Sequence, residues 1–250
     1  MLRNTFVHLP GVGDTTERRL WGRGRHTWDD LLLAPERDLP ARLRQSAGRA
    51  RIEESVTRYA AGEWRHFDRC LPAGAKWRAF QPLRERTLYV DIETDGYDNN
   101  ITVIGIYDGA SFRAYVAGEN LDDAREDLES ASAIVTYNGT GFDMPIIRAR
   151  FPYPLFNHVH IDLMWPLRRL GFRGGLKRIE QEMGIVRSAD TRAMSGWDAV
   201  YLWREHLRGS REARARLLKY NEEDVRNLEP LMCWVYDTMQ KRIGLTLRPG

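Results

Sequence analysis

The sequence predicts an α/β fold: a mixed sheet of three antiparallel strands plus parallel strands, flanked by helices, behind a small helical segment. Three observations carry this. Three β-type runs follow one another closely between residues 87 and 116. Helices and strands then alternate, which is the pattern of parallel pairing. A long apolar helical stripe closes the chain. At 250 residues the chain is long enough to fill a core without disulfides or metals.

Residues 9–33 read as a turn and one or two short helices. Leu9-Pro10-Gly11-Val12-Gly13 is a turn signal, and Asp14 or Thr15 is placed to cap a helix running through Arg18 and Trp21. Residues 41–70 read as helical and basic. Residues 71–82 contain Pro, Gly and small residues and read as a linker. The expected division is a helical segment over 1–80 and a sheet domain over 86–240.

Residues 87–92, 101–107 and 112–116 are rich in β-branched and aromatic side chains, with turn chemistry at Asp108-Gly109. Their short connections predict an antiparallel meander. Residues 121–130 predict an acidic helix, 133–137 a strand, 143–150 a short helix and 159–163 another strand. Residues 176–184 and 197–208 read as helices. In the last element Leu218, Val225, Leu228, Met232, Val235 and Met239 recur at helical spacing. Pro230 lacks an N–H and is expected to kink or split this helix.

Composition narrows the function classes. Apolar residues make up 42% and charged residues 29%, so the chain is neither disordered nor membrane-spanning. The first residues lack an apolar run and a cleavage signal, so no signal peptide is expected. Cys70 and Cys233 lie far apart and fit neither a disulfide scaffold nor a zinc finger, which suits a reducing cytoplasm. Residues 1–90 carry 17 Lys and Arg against 11 Asp and Glu; residues 91–250 carry 21 against 24. A basic first part suits a polyanion, and an acidic second part suits cations.

Three acidic motifs point to chemistry. In LYVDIETDG, Asp91 and Glu93 are i and i+2 on a strand and project to one face, with Ile92 opposite. Two carboxylates so close repel unless a cation lies between them, and hard oxygen ligands suit Mg²⁺ or Mn²⁺. In VTYNGTGFDMPII, a polar loop follows a strand and Asp143 opens a helix, where a first-turn acid is also at home. In LLKYNEEDVRNLEPL, Tyr220 and Asp224 share one helix face as i and i+4. Each motif alone also fits ordinary surface polarity.

Together, D-I-E-T-x-G, N-x₃-F-D and Y-x₃-D in this order resemble the DEDD exonuclease superfamily, DnaQ-like enzymes on a ribonuclease-H-like fold. The resemblance covers about residues 86–240. Lys219 stands where one branch carries His, and Tyr220 matches the tyrosine (DEDDy) branch. VTYNGTGFDMPII, HIDLMWPLRR, GGLKRIEQEMGI and KYNEEDVRNLEPL are similar to the YprB-type ribonuclease-H-like family of predicted bacterial exonucleases. The resemblance implies a 3′→5′ exonuclease acting on single-stranded DNA or RNA ends. It implies Asp91, Glu93, Asp143 and Asp224 as ligands for two divalent cations, Mg²⁺ or Mn²⁺, with Asp91 bridging. Tyr220 would orient the attacking water. Thr94 and Asn138 are candidates to hold the terminal nucleotide, and Phe142 either packs on a base or fills core. A catalytically silent nucleic-acid-binding module on the same fold would usually have lost a carboxylate, and all four are present.

Two further features have competing readings. The Leu9–Gly13 turn resembles the hairpin of a helix-hairpin-helix motif, in which backbone N–H groups hold a DNA phosphate. Arg18, Arg19, Arg23 and Arg25 follow it, but only eight residues precede it, too few for the usual first helix. The other reading is a small cap with Trp21 and Trp28 as its core. His158 and His160 share a strand face without a third ligand nearby, so they read as structural. Asp162 is either a support for the acidic site or a strand-end acid.

Overall fold

The computed structural model describes residues 1–152 and 156–244. Its centre is a five-stranded sheet in the order β3-β2-β1-β4-β5, formed by β1 (Thr87–Thr94), β2 (Ile101–Tyr107), β3 (Phe112–Val116), β4 (Ala133–Thr136) and β5 (Val159–Asp162). The first three strands form the expected antiparallel meander, and β4 and β5 add in parallel. The β2–β3 hairpin closes where Asp108 Oδ1 accepts the N–H groups of Ala110 and Ser111, at 2.9 and 2.8 Å. Gly109 there has φ +93°, a conformation costly for any side chain.

Among the described residues six helices precede the sheet: α1 (Asp14–Gly22), α2 (Trp28–Leu32), α3 (Ala41–Arg44), α4 (Ser46–Ala60), α5 (Trp64–Cys70) and α6 (Phe80–Leu83). Six lie within or after it: α7 (Ala124–Ser130), α8 (Asp143–Arg150), α9 (Met164–Leu170), α10 (Leu176–Glu182), α11 (Gly196–Leu207) and α12 (Arg211–Ile243). No helix among the described residues is long and apolar enough to cross a membrane. Cys70 and Cys233 are free thiols.

Strand alternation sorts β1 to two faces. Leu88, Val90 and Ile92 meet Leu128 of α7 and Met144 and Ile147 of α8. Tyr89 turns the other way, into a core with Val225, Leu228, Met232 and Val235 of α12. That second core continues without a break into the aromatic interior of the first helices, where Trp21 and Trp28 are buried. Glu17 of α1 is buried too. It accepts hydrogen bonds from the Phe6 N–H and the Thr5 hydroxyl and pairs with the buried Arg78 at 2.7 Å.

Four local expectations need correction. Residues 71–82 are no linker: a 3₁₀ segment, Ala73–Ala79, leads into α6, and Trp77, Ala79 and Phe80 are fully buried. Small residues there permit close packing against β5 rather than freedom. Neither Asp14 nor Thr15 caps α1, because Gly13 takes the N-cap position and Asp14 is the first helical residue. In the stripe of α12, which is buried from Ala213 on, Leu217 is buried and Leu218 only half-buried. Pro230 does not split α12, which runs on as one element with the proline on its exposed side.

Candidate active site

The site forms where the sheet loses its regular pairing. β4 pairs with β1 only through Thr87–Tyr89, so the Ile92 N–H is left without a strand partner. Asp143, the first residue of α8, accepts that N–H at 3.2 Å. Between β1 and β2 the register slips by one residue beyond Glu93: Glu93 faces Val103, and Thr94 faces Ile101. Such a bulge re-aims side chains at a strand end.

Asp91 and Glu93 point together toward α12, as their spacing predicts. Helix α12 presents Tyr220 and Asp224 to them from one face, one turn apart. Carboxylate oxygens of Asp91, Glu93 and Asp224 all lie within 4.8 Å of one another. Among the described residues this is the cluster of acids, His and Cys that has metal-holding geometry. Asp143 joins it from the side, at the rim of the same cleft.

The cleft has a volume of about 470 Å³. It gathers every residue singled out from the motifs: Asp91, Glu93, Thr94, Asn138, Phe142, Asp143, Tyr220 and Asp224. Phe142 is 39% exposed, so the core alternative for it fails. Asn138 has φ +63° and is exposed; its loop is pinned by Asp162, which accepts the N–H groups of Asn138 and Thr140 at 2.7 and 3.0 Å. Asp162 therefore supports the site instead of merely ending its strand. His158 and His160 are buried outside the cleft, and His160 Nε2 bonds the Thr136 hydroxyl at 2.9 Å.

The electrostatics are those of an unbalanced cluster. Burial, then repulsion from Asp224, Asp143 and Glu93, holds Asp91 well above the usual carboxylate range. Glu93 is raised for the same reasons. Burial pushes Asp143 up to about 7 and Asp224 up to about 6, the latter despite the Arg187 guanidinium beside it. The Tyr220 phenol is also raised, by burial and by the neighbouring carboxylates. The donor set fits a hard divalent cation: clustered carboxylate oxygens whose repulsion a cation would relieve.

Four contributors escaped the motifs. Asn221 donates to Asp91 Oδ2 at 3.0 Å. It fits only because Gly105 stands opposite Asp91 on β2, where a Cβ would lie 1.8 Å from the Asn221 oxygen. Arg187 is buried and bonds Asp224 while held by Glu180 through Nε and Nη2 at 2.6 and 2.8 Å. Lys177 places its ammonium 4.4 Å from the centre of the Tyr220 ring. Trp197, at the start of α11, lines the cleft with 68% of its surface exposed.

A family model of the RNase H superfamily matches residues 88–236, which spans β1 to most of α12. No curated protein and no solved structure matches the chain. The matched region exceeds half of the chain and contains the whole acidic cluster, and the chain belongs to the RNase H superfamily.

Proposed function

We propose that the protein is a metal-dependent 3′→5′ exonuclease that hydrolyses phosphodiester bonds at the ends of single-stranded DNA or RNA. One observation carries the reading: the Asp91, Glu93 and Asp224 oxygens converge within 4.8 Å on the wall of an open cleft, with Asp143 bonded to the strand between the first two. These four carboxylates would hold two Mg²⁺ or Mn²⁺ ions. When bound, the ions supply stabilisation of the charge on the attacking and leaving oxygens of the phosphodiester.

The protein's own groups supply positioning. Asn221 fixes the Asp91 carboxylate, and Arg187, clamped by Glu180, fixes Asp224. Tyr220 is a neutral phenol, because its environment opposes ionisation. It orients the attacking water by a hydrogen bond and does not take its proton as a free phenolate would. Thr94 and Asn138 hold the terminal nucleotide, and Phe142 offers its exposed ring to a base. The 3′ direction and the tyrosine branch rest on the likeness to DEDD enzymes. Residues 1–80 act as a helical cap on the 86–240 domain; the hydrophobic core shared by the two parts supports this over a separate DNA-binding module.

The test is Mn²⁺-dependent digestion of 5′-labelled single-stranded DNA and RNA. The expected product is a ladder shortening from the 3′ end, with mononucleotides released. Early cleavage of circular single-stranded DNA, or no cleavage with any metal, overturns the reading. Tyr220→Phe should bind metal and oligonucleotide normally and lose roughly 10²-fold in single-turnover rate.

A further inference from the structure

A second cavity, of about 370 Å³, lies away from the acidic cleft and shares no lining residue with it. Three elements build it. Helix α5 contributes Arg65 and Arg69, which are i and i+4 and lie on one face. Helix α8 contributes Arg148 near its C-terminal end, whereas its first residue, Asp143, faces the acidic cleft. The chain entering β5 contributes His158.

Among the described residues the lining arginines lack acidic partners. Among the described residues Arg65, Arg69 and Arg148 form no ion pair. The lining acid, Asp68, is already neutralised by Lys76 at 2.5 Å and also accepts the His160 N–H. His158 is 2% exposed, and among the described residues neither ring nitrogen has a hydrogen-bond partner. The place is held rigidly, because Asn157 bonds the Arg65 N–H and the Gly62 carbonyl, tying the β5 approach to α5.

We propose that this pocket binds the phosphate group of a nucleotide. Three guanidinium groups around one cavity offer the forked donors that suit phosphate oxygens. The buried His158 ring, packed against Phe156, closes the floor. Phe151 and Phe156 complete the wall with apolar surface for a base or sugar. The same chemistry serves a free nucleotide or inorganic phosphate, and affinity separates these sources.

The experiment is calorimetric titration of the full chain in EDTA at constant ionic strength, with inorganic phosphate and then 5′-dAMP. Without metal the acidic cleft repels anions, so saturable phosphate binding that Arg148→Ala and Arg69→Ala weaken reports the second pocket. Arg148→Ala and Arg69→Ala remove exposed side chains and should keep the melting temperature. Each should weaken binding by roughly tenfold. The imidazole resonances of His158 should shift with saturation in the wild type. Tighter binding of 5′-dAMP than of phosphate assigns the phenylalanine wall to a nucleotide; equal affinity assigns the pocket to the phosphate group alone. Binding matched by chloride, unchanged by both arginine variants, or abolished by Asp91→Asn would overturn the proposal.

Discussion

Two buried charge clusters in this molecule are built oppositely. Glu17 is buried under the first helices, and its carboxylate is surrounded by donors: two backbone N–H groups, the Thr5 hydroxyl and the Arg78 guanidinium. Charge and hydrogen bonding are both met inside the protein. The acidic cleft has four carboxylates, with Arg187 the cation in direct ion pairing among the described residues. Its excess negative charge is tolerated in folding and gains nothing from it. The contrast separates a charge kept for architecture from a charge kept for a ligand.

The comparison is broken most sharply at Asp91. Asp91→Asn keeps the size and removes one charge, so the fold should survive. Hydrolysis should fall by about a thousandfold or more, since bound ions contribute several kcal/mol to the transition state. Steady-state release of nucleotide with Mn²⁺ measures this. Near wild-type turnover would mean that the acids are only a charged strand end.

Stability should respond in opposite directions at the two clusters. Glu17→Gln leaves Arg78 buried without its counter-charge and should cost about 3–5 kcal/mol. Glu93→Gln relieves repulsion and should leave metal-free stability equal or higher. Urea unfolding in EDTA compares them. Equal losses at both positions would erase the distinction between the clusters.

What the sequence made legible follows from range. The meander and the carboxylate pairs depend on periods of two and of 3.6 residues, and these are local. The DIE and Y-x₃-D spacings therefore placed their side chains on shared faces before any tertiary contact was known. Arg187 and Glu180 are joined to Asp224 across 37 and 44 positions, and no period encodes that. Asn221 sits beside Tyr220 in the motif, yet its role is set by Gly105 on another strand. Residues 71–82 misled because small residues and prolines serve close packing as well as turns. Leu217 replaced Leu218 because either residue lies near enough to the apolar stripe to be counted in it.

A pH titration sharpens the same contrast. Burial holds the Asp143 carboxyl up at about 7 and that of Asp224 at about 6 in the folded protein, against ~3.9 for an unfolded Asp. The folded state thus holds these protons more tightly. The stability this contributes is full below about pH 4 and is lost as pH rises through about 6 to 7. In EDTA, the melting temperature of Glu93→Gln should gain on that of the wild type between pH 4 and pH 8. Mn²⁺ should reverse the order at pH 8, because it stabilises the complete site more. A pH-independent difference would place the carboxylates too far apart to interact.

The smallest expected effect lies at the rim. Trp197 follows Ser195, whose hydroxyl caps α11 while Asp198 returns a bond to the Ser195 N–H at 2.7 Å. That capping box fixes the start of the helix, and the ring lies over Gly96, where an added Cβ would sit 3.4 Å from it and 2.9 Å from Val200. The ring is exposed but its base is fixed, which is the construction of a stacking platform. Stacking a base on an aromatic side chain is worth roughly 1–3 kcal/mol, and an open rim position belongs at the low end. Trp197→Ala should therefore raise KM for a single-stranded oligonucleotide by about tenfold at unchanged kcat, and Trp197→Phe should restore most of it. Steady-state kinetics on a short oligonucleotide decide the matter. A fall in kcat with KM unchanged would mean that Trp197 supports the carboxylates through α11 and does not meet the substrate.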